Sequence, residues 1–147
     1  MDELDFRILK ILQKDGRKTN TAISRALGVA ESTVRKRINR MTRSEAIQFT
    51  AVADPYRLGF TIWVQLGIVA DLGRVEALSK QLSAFPEVFF LAVTNGEFNI
   101  TLSAVFKSND KLYDFLTRRL GGMTGIRRSI TSIFLRVVKR TFVYSSV

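Results

Sequence analysis

From Glu3 to Lys14 the apolar residues Leu4, Ile8, Ile11 and Leu12 recur at helical spacing, and Phe6 and Leu9 widen the stripe. Asp2 is the candidate N-cap, Glu3 and Asp5 stand where the helix dipole favours acids, and Gly16 stands where a glycine closes a helix. A second, shorter helix is expected after Thr19, whose hydroxyl can cap it, with Ile23, Ala26 and Leu27 facing inward. After the turn Leu27-Gly28-Val29 a third helix is expected from Glu31 to Arg43. At about 100° per residue Val34, Ile38 and Met41 fall in one arc. Ser32, Thr33, Lys36, Asn39, Arg40 and Arg43 lie opposite that arc, and Arg35 and Arg37 flank it. Two short helices about a glycine turn, the second basic on its outward side, form the pattern of a helix-turn-helix.

Beyond the third helix the period changes. Ile47 to Ala53 predicts a short strand, closed by the turn signal Asp54-Pro55. Phe60, Ile62, Val64, Leu66, Ile68 and Ala70 then alternate with Thr61, Trp63, Gln65 and Gly67, as in a half-buried strand. Arg74 to Ala84 returns to helical spacing through Val75, Leu78 and Leu82. Val88 to Thr94 is apolar on both faces, as a central or interface strand would be, and Asn95-Gly96 is a hairpin signal. Phe98, Ile100, Leu102, Ala104 and Phe106 alternate with polar residues. A helix over Asn109–Leu120 and a strand from Ile126 to about Val138 complete the chain. The expected architecture is α+β: a helix-turn-helix, winged-helix-like domain over 1–46, a connecting strand and turn over 47–59, and a ferredoxin-like βαββαβ sandwich over 60–147.

Composition narrows the chemistry. The 147 residues are 46% hydrophobic and 24% charged, in keeping with a globular chain. No apolar run approaches the roughly 18–20 residues of a membrane span, and the acidic opening MDELDF is unlike a signal peptide, so a cytoplasmic location without membrane contact is expected. Histidine and cysteine are both absent, which removes the commonest general base, the commonest zinc ligands and any thiol nucleophile. No cofactor or metal is called for, and no enzyme activity is expected. The formal charge of +10 suits a polyanionic partner. Its distribution is more telling: five of the eleven basic residues among the first fifty lie in the third helix, against one acid, Glu31. Double-stranded DNA is therefore the expected partner. Ser32, Thr33 and Lys36, with Asn39 and Arg40 a turn later, are the candidates to read bases. Arg35 and Arg37 are candidates for phosphate, as are the backbone N–H groups of Thr19, Asn20 and Thr21.

The segments Leu-Gln-Lys-Asp-Gly-Arg (12–17), Gly-Val-Ala-Glu-Ser-Thr-Val (28–34) and Arg37-Ile38-x-Arg40-Met41 resemble the DNA-binding half of the Lrp/AsnC, or feast/famine, regulators. The likeness continues through Asp54-Pro-x-x-Leu-Gly59, Phe85-Pro-Glu-Val88, Thr94-x-Gly-Glu-Phe-Asn99 and Ser129-x-Thr131-x-Ile133. This resemblance implies a transcription regulator that dimerises through its sheet and assembles further, to a tetramer or octamer. It also implies an amino-acid effector held between subunits near the 94–99 hairpin, with Thr94, Gly96, Glu97, Asn99 and Thr131 around it. The chain departs from the family pattern in three places. Ala30 stands where a capping Ser or Asp is usual, Glu45 where a glycine commonly ends the recognition helix, and Asn99 where the hairpin's second acid is usual. Two further readings stand beside this one: an architectural protein that wraps DNA with little sequence preference, and a small ferredoxin-like enzyme.

Overall fold

The computed structural model describes residues 1–141; the remaining six, which close the expected second domain, lie outside the described residues. Of the described residues, Met1–Val52 and the stretch from Lys139 onward form one unit, and Ala53–Val138 forms the other. One boundary falls inside the expected connection over 47–59; the other, between Val138 and Lys139, falls inside the stretch expected to belong wholly to the second domain, 60–147. No helix among the described residues is long and apolar enough to cross a membrane.

The first unit holds α1 (Glu3–Lys14), α2 (Asn20–Leu27) and α3 (Glu31–Arg43), within a residue of the expected limits. Asp2 caps α1 in a capping box: its carboxylate accepts the Asp5 N–H while the Asp5 carboxylate accepts the Asp2 N–H. Thr19 caps α2 through its hydroxyl, which accepts the Ala22 N–H at 3.2 Å. Ile8, Leu12, Ile23, Val34 and Met41 form the buried centre, with Leu4, Ile11, Leu27, Val29, Ile38 and Ile47 packed around it. Two inward positions differ from expectation. In α2, Ser24 is buried and Ala26 exposed; the Ser24 hydroxyl donates to the Thr21 carbonyl, which satisfies it inside the packing. Phe6 is exposed and does not widen the α1 stripe.

The strand expected over 47–53 and any wing are corrections. Residues 47–53 form no ladder in the chain, and the first unit contains no strand among the described residues. An isolated β-prone segment needs a partner edge for its N–H and C=O groups, and none pairs with it here.

The second unit holds β1 (Ile62–Ala70), α4 (Val75–Ser83), β2 (Val88–Val93), β3 (Ile100–Phe106), α5 (Asn109–Asp114, continued by a π-helical stretch over Phe115–Leu120) and β4 (Ile126–Ile133). All pairings are antiparallel, in the order β2-β3-β1-β4. This is the expected ferredoxin-like arrangement. β4 ends at Ile133, short of the expected Val138: its last ladder pair is Val64–Ile133, and one further bond, the Phe134 N–H donating to the Trp63 carbonyl at 2.9 Å, closes the pairing. The even-numbered residues of β1 and β3, Val64 through Ala70 and Ile100 through Phe106, are buried against Leu78, Leu82, Leu112, Phe115 and Leu120. Burial of each of the Val, Leu, Ile and Phe side chains is worth about 1.5–3 kcal/mol. β2 is an edge strand, so its two apolar faces do not mark a central position. Val88 and Leu91 pack against the core, while Phe89 and Phe90 are each about half exposed.

Candidate nucleic-acid interface and effector hairpin

The turn between α2 and α3 depends on Gly28, whose φ of +68° is left-handed. Its N–H and that of Val29 both donate to the Ser24 carbonyl, which closes α2 and releases the chain toward α3. At the start of α3, Ala30 offers no side-chain cap. Glu31 supplies the missing negative charge, and the Thr21 hydroxyl donates to its carboxylate at 2.8 Å, tying the two helix starts together. The N–H groups of Asn20 and Thr21 open α2 and so lie outside its own i→i−4 ladder, as phosphate donors must. At the other end of α3, Glu45 adopts φ +57°, and the Ala46 N–H reaches back to the Met41 carbonyl at 2.9 Å. The helix thus ends in the left-handed geometry that a glycine would take without strain.

Val34 and Met41 are buried, and the opposite face of α3 is exposed at Ser32, Arg35, Lys36, Asn39, Arg40 and Arg43, with Thr33 half-buried. Lys36, Asn39, Arg40, Arg43 and Ser44 line an open cleft of about 600 Å³. Arg37 is placed differently. Its side chain is 27% exposed, and its guanidinium donates to the carboxylates of Asp2 and Asp5. Arg40 also reaches Asp5, through Nη2 at 2.5 Å, yet keeps 57% of its side chain exposed. The Arg37 guanidinium, and then the Asp5 N–H, hold the Asp2 carboxyl below its ordinary value, and the same pair raises Arg37.

In the second unit, β2 and β3 are joined by a loop closed by the Thr94 N–H donating to the Asn99 carbonyl at 2.9 Å. Gly96 takes φ +106° within it, and the Thr94 hydroxyl donates to the Phe98 carbonyl at 2.8 Å. Phe98 does not continue the inward alternation of β3. Its ring lies over Gly67 of β1, where a side chain would collide with it. Gly67 pairs with Thr101 and Ile130, on the sheet face away from the helices. Arg128 of β4, on that face, stacks over Phe98 with 5.9 Å to the ring centre and donates to Glu97 at 2.8 Å. Glu97, Phe98 and Arg128 therefore form one cluster. Asn99 turns to another task. Its N–H donates to the Ile68 carbonyl and its amide oxygen accepts the Ala70 N–H at 2.8 Å, joining β3 to β1 beside the irregularity at Val69/Ala70. Thr131 pairs with Leu66, on the helix-covered face, so the chain does not bring it to the Glu97 cluster.

The face away from the helices also carries Trp63, whose ring meets Phe89 and Phe134 edge-on at 5.4 Å each. Gln65 and Ser103 are hydrogen-bonded beside it, and Phe90 and Ile130 are exposed.

Comparison with known proteins decides the family. The AsnC-type helix-turn-helix domain matches residues 1–42 and the Lrp/AsnC ligand binding domain matches residues 64–144. The chain belongs to the Lrp/AsnC family of transcriptional regulators. The HTH-type transcriptional regulator FL11 of Pyrococcus furiosus is 34% identical over 96% of this chain and 93% of its own. Among solved structures, AsnC of E. coli superposes with a TM-score of 0.89 at 22% identity, over 97% of each chain. A Neisseria meningitidis transcriptional regulator in complex with L-Met gives 0.87 at 22% identity, over 97% of this chain and 94% of that one.

For an Lrp/AsnC regulator, the placement of these residues separates two kinds of site residue. Ser32, Lys36, Asn39 and Arg40 share the outward face of α3, as the sequence pattern indicated. Asp2 and Asp5 were missed as partners of that helix. In the sequence Asp2 reads only as an N-cap and Asp5 only as an acid suited to the helix dipole, and the pairing with Arg37 and Arg40 depends on how α1 packs on α3.

Proposed function

We propose that this Lrp/AsnC regulator binds double-stranded DNA sequence-specifically, with α3 in the major groove, as a homodimer that assembles into tetramers or octamers in the cytoplasm. The observation that carries the DNA reading is the segregation on α3: Val34 and Met41 buried on one side, Ser32, Lys36, Asn39 and Arg40 exposed on the other. The half-exposed Phe89 and Phe90 beside Trp63 support association through the uncovered sheet face.

An amino-acid effector is proposed at the 94–99 loop. The Neisseria regulator's complex with L-Met supports the ligand class. The exposed Glu97–Arg128 pair suits a zwitterion, whose ammonium group takes Glu97 and whose carboxylate takes Arg128. Gly96 and Thr94 shape the loop, while Thr131 acts only from another subunit or through the strand it sits on.

The test is a gel-shift titration against a duplex recovered by selection from random DNA. Lys36→Ala with Asn39→Ala removes two outward side chains without touching the Asp5 pair, which Arg40→Ala would break. Affinity should fall by about 1–3 kcal/mol for each base-reading side chain removed. Unaltered affinity would refute the assignment of α3.

A further inference from the structure

Asp2 and Asp5 open α1, yet their carboxylates are committed to α3. The Asp5 side chain is fully buried and accepts Arg40 Nη2 at 2.5 Å, Arg37 Nη1 at 3.4 Å and the Asp2 N–H at 2.9 Å. Asp2 accepts from Arg37 and from the Asp5 N–H at 3.1 Å, with Arg40 Nη2 4.0 Å away. Two acids therefore face two of the five cations of α3. Among the described residues Arg35, Lys36 and Arg43 form no ion pair.

The two arginines are held to different ends. A buried carboxylate keeps its charge only while paired, so the Asp5–Arg40 pair is fixed, not one of many exchanging surface pairs. It uses Nη2 and leaves the rest of the guanidinium fork, on a side chain 57% exposed, beside Lys36 and Asn39 at the cleft. Arg37, less exposed and shared between both acids, has its charge compensated.

Resting on the DNA-binding reading above, we propose that Asp5 is a positioning residue that presets the Arg40 fork for a base edge or phosphate, and that Asp2 withholds Arg37 from the DNA backbone. The acids of α1 thereby restrain non-specific attraction and raise the ratio of operator to random-DNA affinity.

The experiment measures binding by fluorescence anisotropy across a salt series, on the selected operator and on random duplex, with thermal unfolding alongside. Asp2→Asn leaves Arg37 and Arg40 one carboxylate, Asp5, to share, so one more uncompensated positive charge faces the DNA. The log–log salt slope on random duplex should then steepen by about 0.9, one more phosphate neutralised. Arg40→Lys keeps the charge and loses the fork, so the operator-to-random ratio should fall about tenfold at unchanged unfolding temperature. Asp5→Asn should lower the same ratio. An unchanged slope in Asp2→Asn refutes the withholding of Arg37, and an unchanged ratio in Arg40→Lys refutes the positioning of Arg40. Parallel loss of both affinities with the unfolding temperature in Asp5→Asn would make Asp5 purely structural. If Asp5→Asn does not fold, the other two variants decide. Wild-type protein that binds no duplex would instead overturn the DNA-binding reading itself.

Discussion

Gly67 sets a sharp test of how the 94–99 loop is held. A β-carbon at this position would stand 2.7–2.8 Å from Cγ, Cδ1 and Cδ2 of Phe98. These atoms lie at the root of the ring, so turning its far end does not clear them. Two effects oppose each other in Gly67→Ala. Alanine relieves the entropic cost of a glycine in a strand, worth about 0.5–1 kcal/mol, while overpacking costs about 1–3 kcal/mol. Overpacking wins, for a net loss of about 0.5–2 kcal/mol. At about 4–8 °C per kcal/mol for a domain of this size, unfolding should fall by several degrees in a circular-dichroism melt. The decisive measurement is a cycle with Phe98→Ala. With the ring removed only the glycine term remains, so Gly67→Ala should then stabilise. The sign must reverse between the two backgrounds. Gly67→Ala that is neutral or stabilising beside an intact Phe98 would refute the packing of that ring on β1.

Two further outcomes are expected. Phe90→Asp puts a charge on the half-exposed apolar face and should shift the protein to smaller species in multi-angle light scattering with its circular dichroism unchanged; an unaltered mass would exclude that face as the interface. The Asp2 carboxyl is held below its ordinary value of 3.8 by Arg37 and the Asp5 N–H, so its contribution to stability is present above that value and lost as pH falls through the lower folded value. The stability difference between wild type and Asp2→Asn, from urea unfolding, should therefore be constant from pH 7 to about 5 and shrink below about pH 4; a difference that persists to pH 2 would show that the pair does not act through ionisation.

The helices of the first unit were legible because pattern and punctuation agreed. The α3 arc of Val34, Ile38 and Met41, the Thr19 cap and the Gly28 turn each pointed to the same boundaries. The strand order of the second unit followed from alternating β1 and β3, whose inward residues are the buried ones. What escaped depended on contacts that periodicity does not show, most of them with neighbours distant in sequence. Ser24 looks like a surface residue until the Thr21 carbonyl accepts its hydroxyl proton. Phe98 fits the alternation of β3, but the chain leaves the pleat at Asn99 and the ring crosses to Gly67. Residues 47–53 have strand propensity and no edge to pair with. Arg37 and Arg40 read as free cations because only the crossing of α1 and α3 reveals the acids they meet.

Asn99 has an evolutionary consequence. Its amide oxygen does the work of a main-chain carbonyl by accepting the Ala70 N–H. An aspartate has an oxygen in the same position and can accept that bond without altering the sheet. Asparagine and aspartate codons differ by one nucleotide. A lineage carrying this chain can therefore add or remove a negative charge beside Glu97 in one mutational step, at little cost to folding. The charge of this hairpin can change while the hydrogen bond that joins β3 to β1 stays in place.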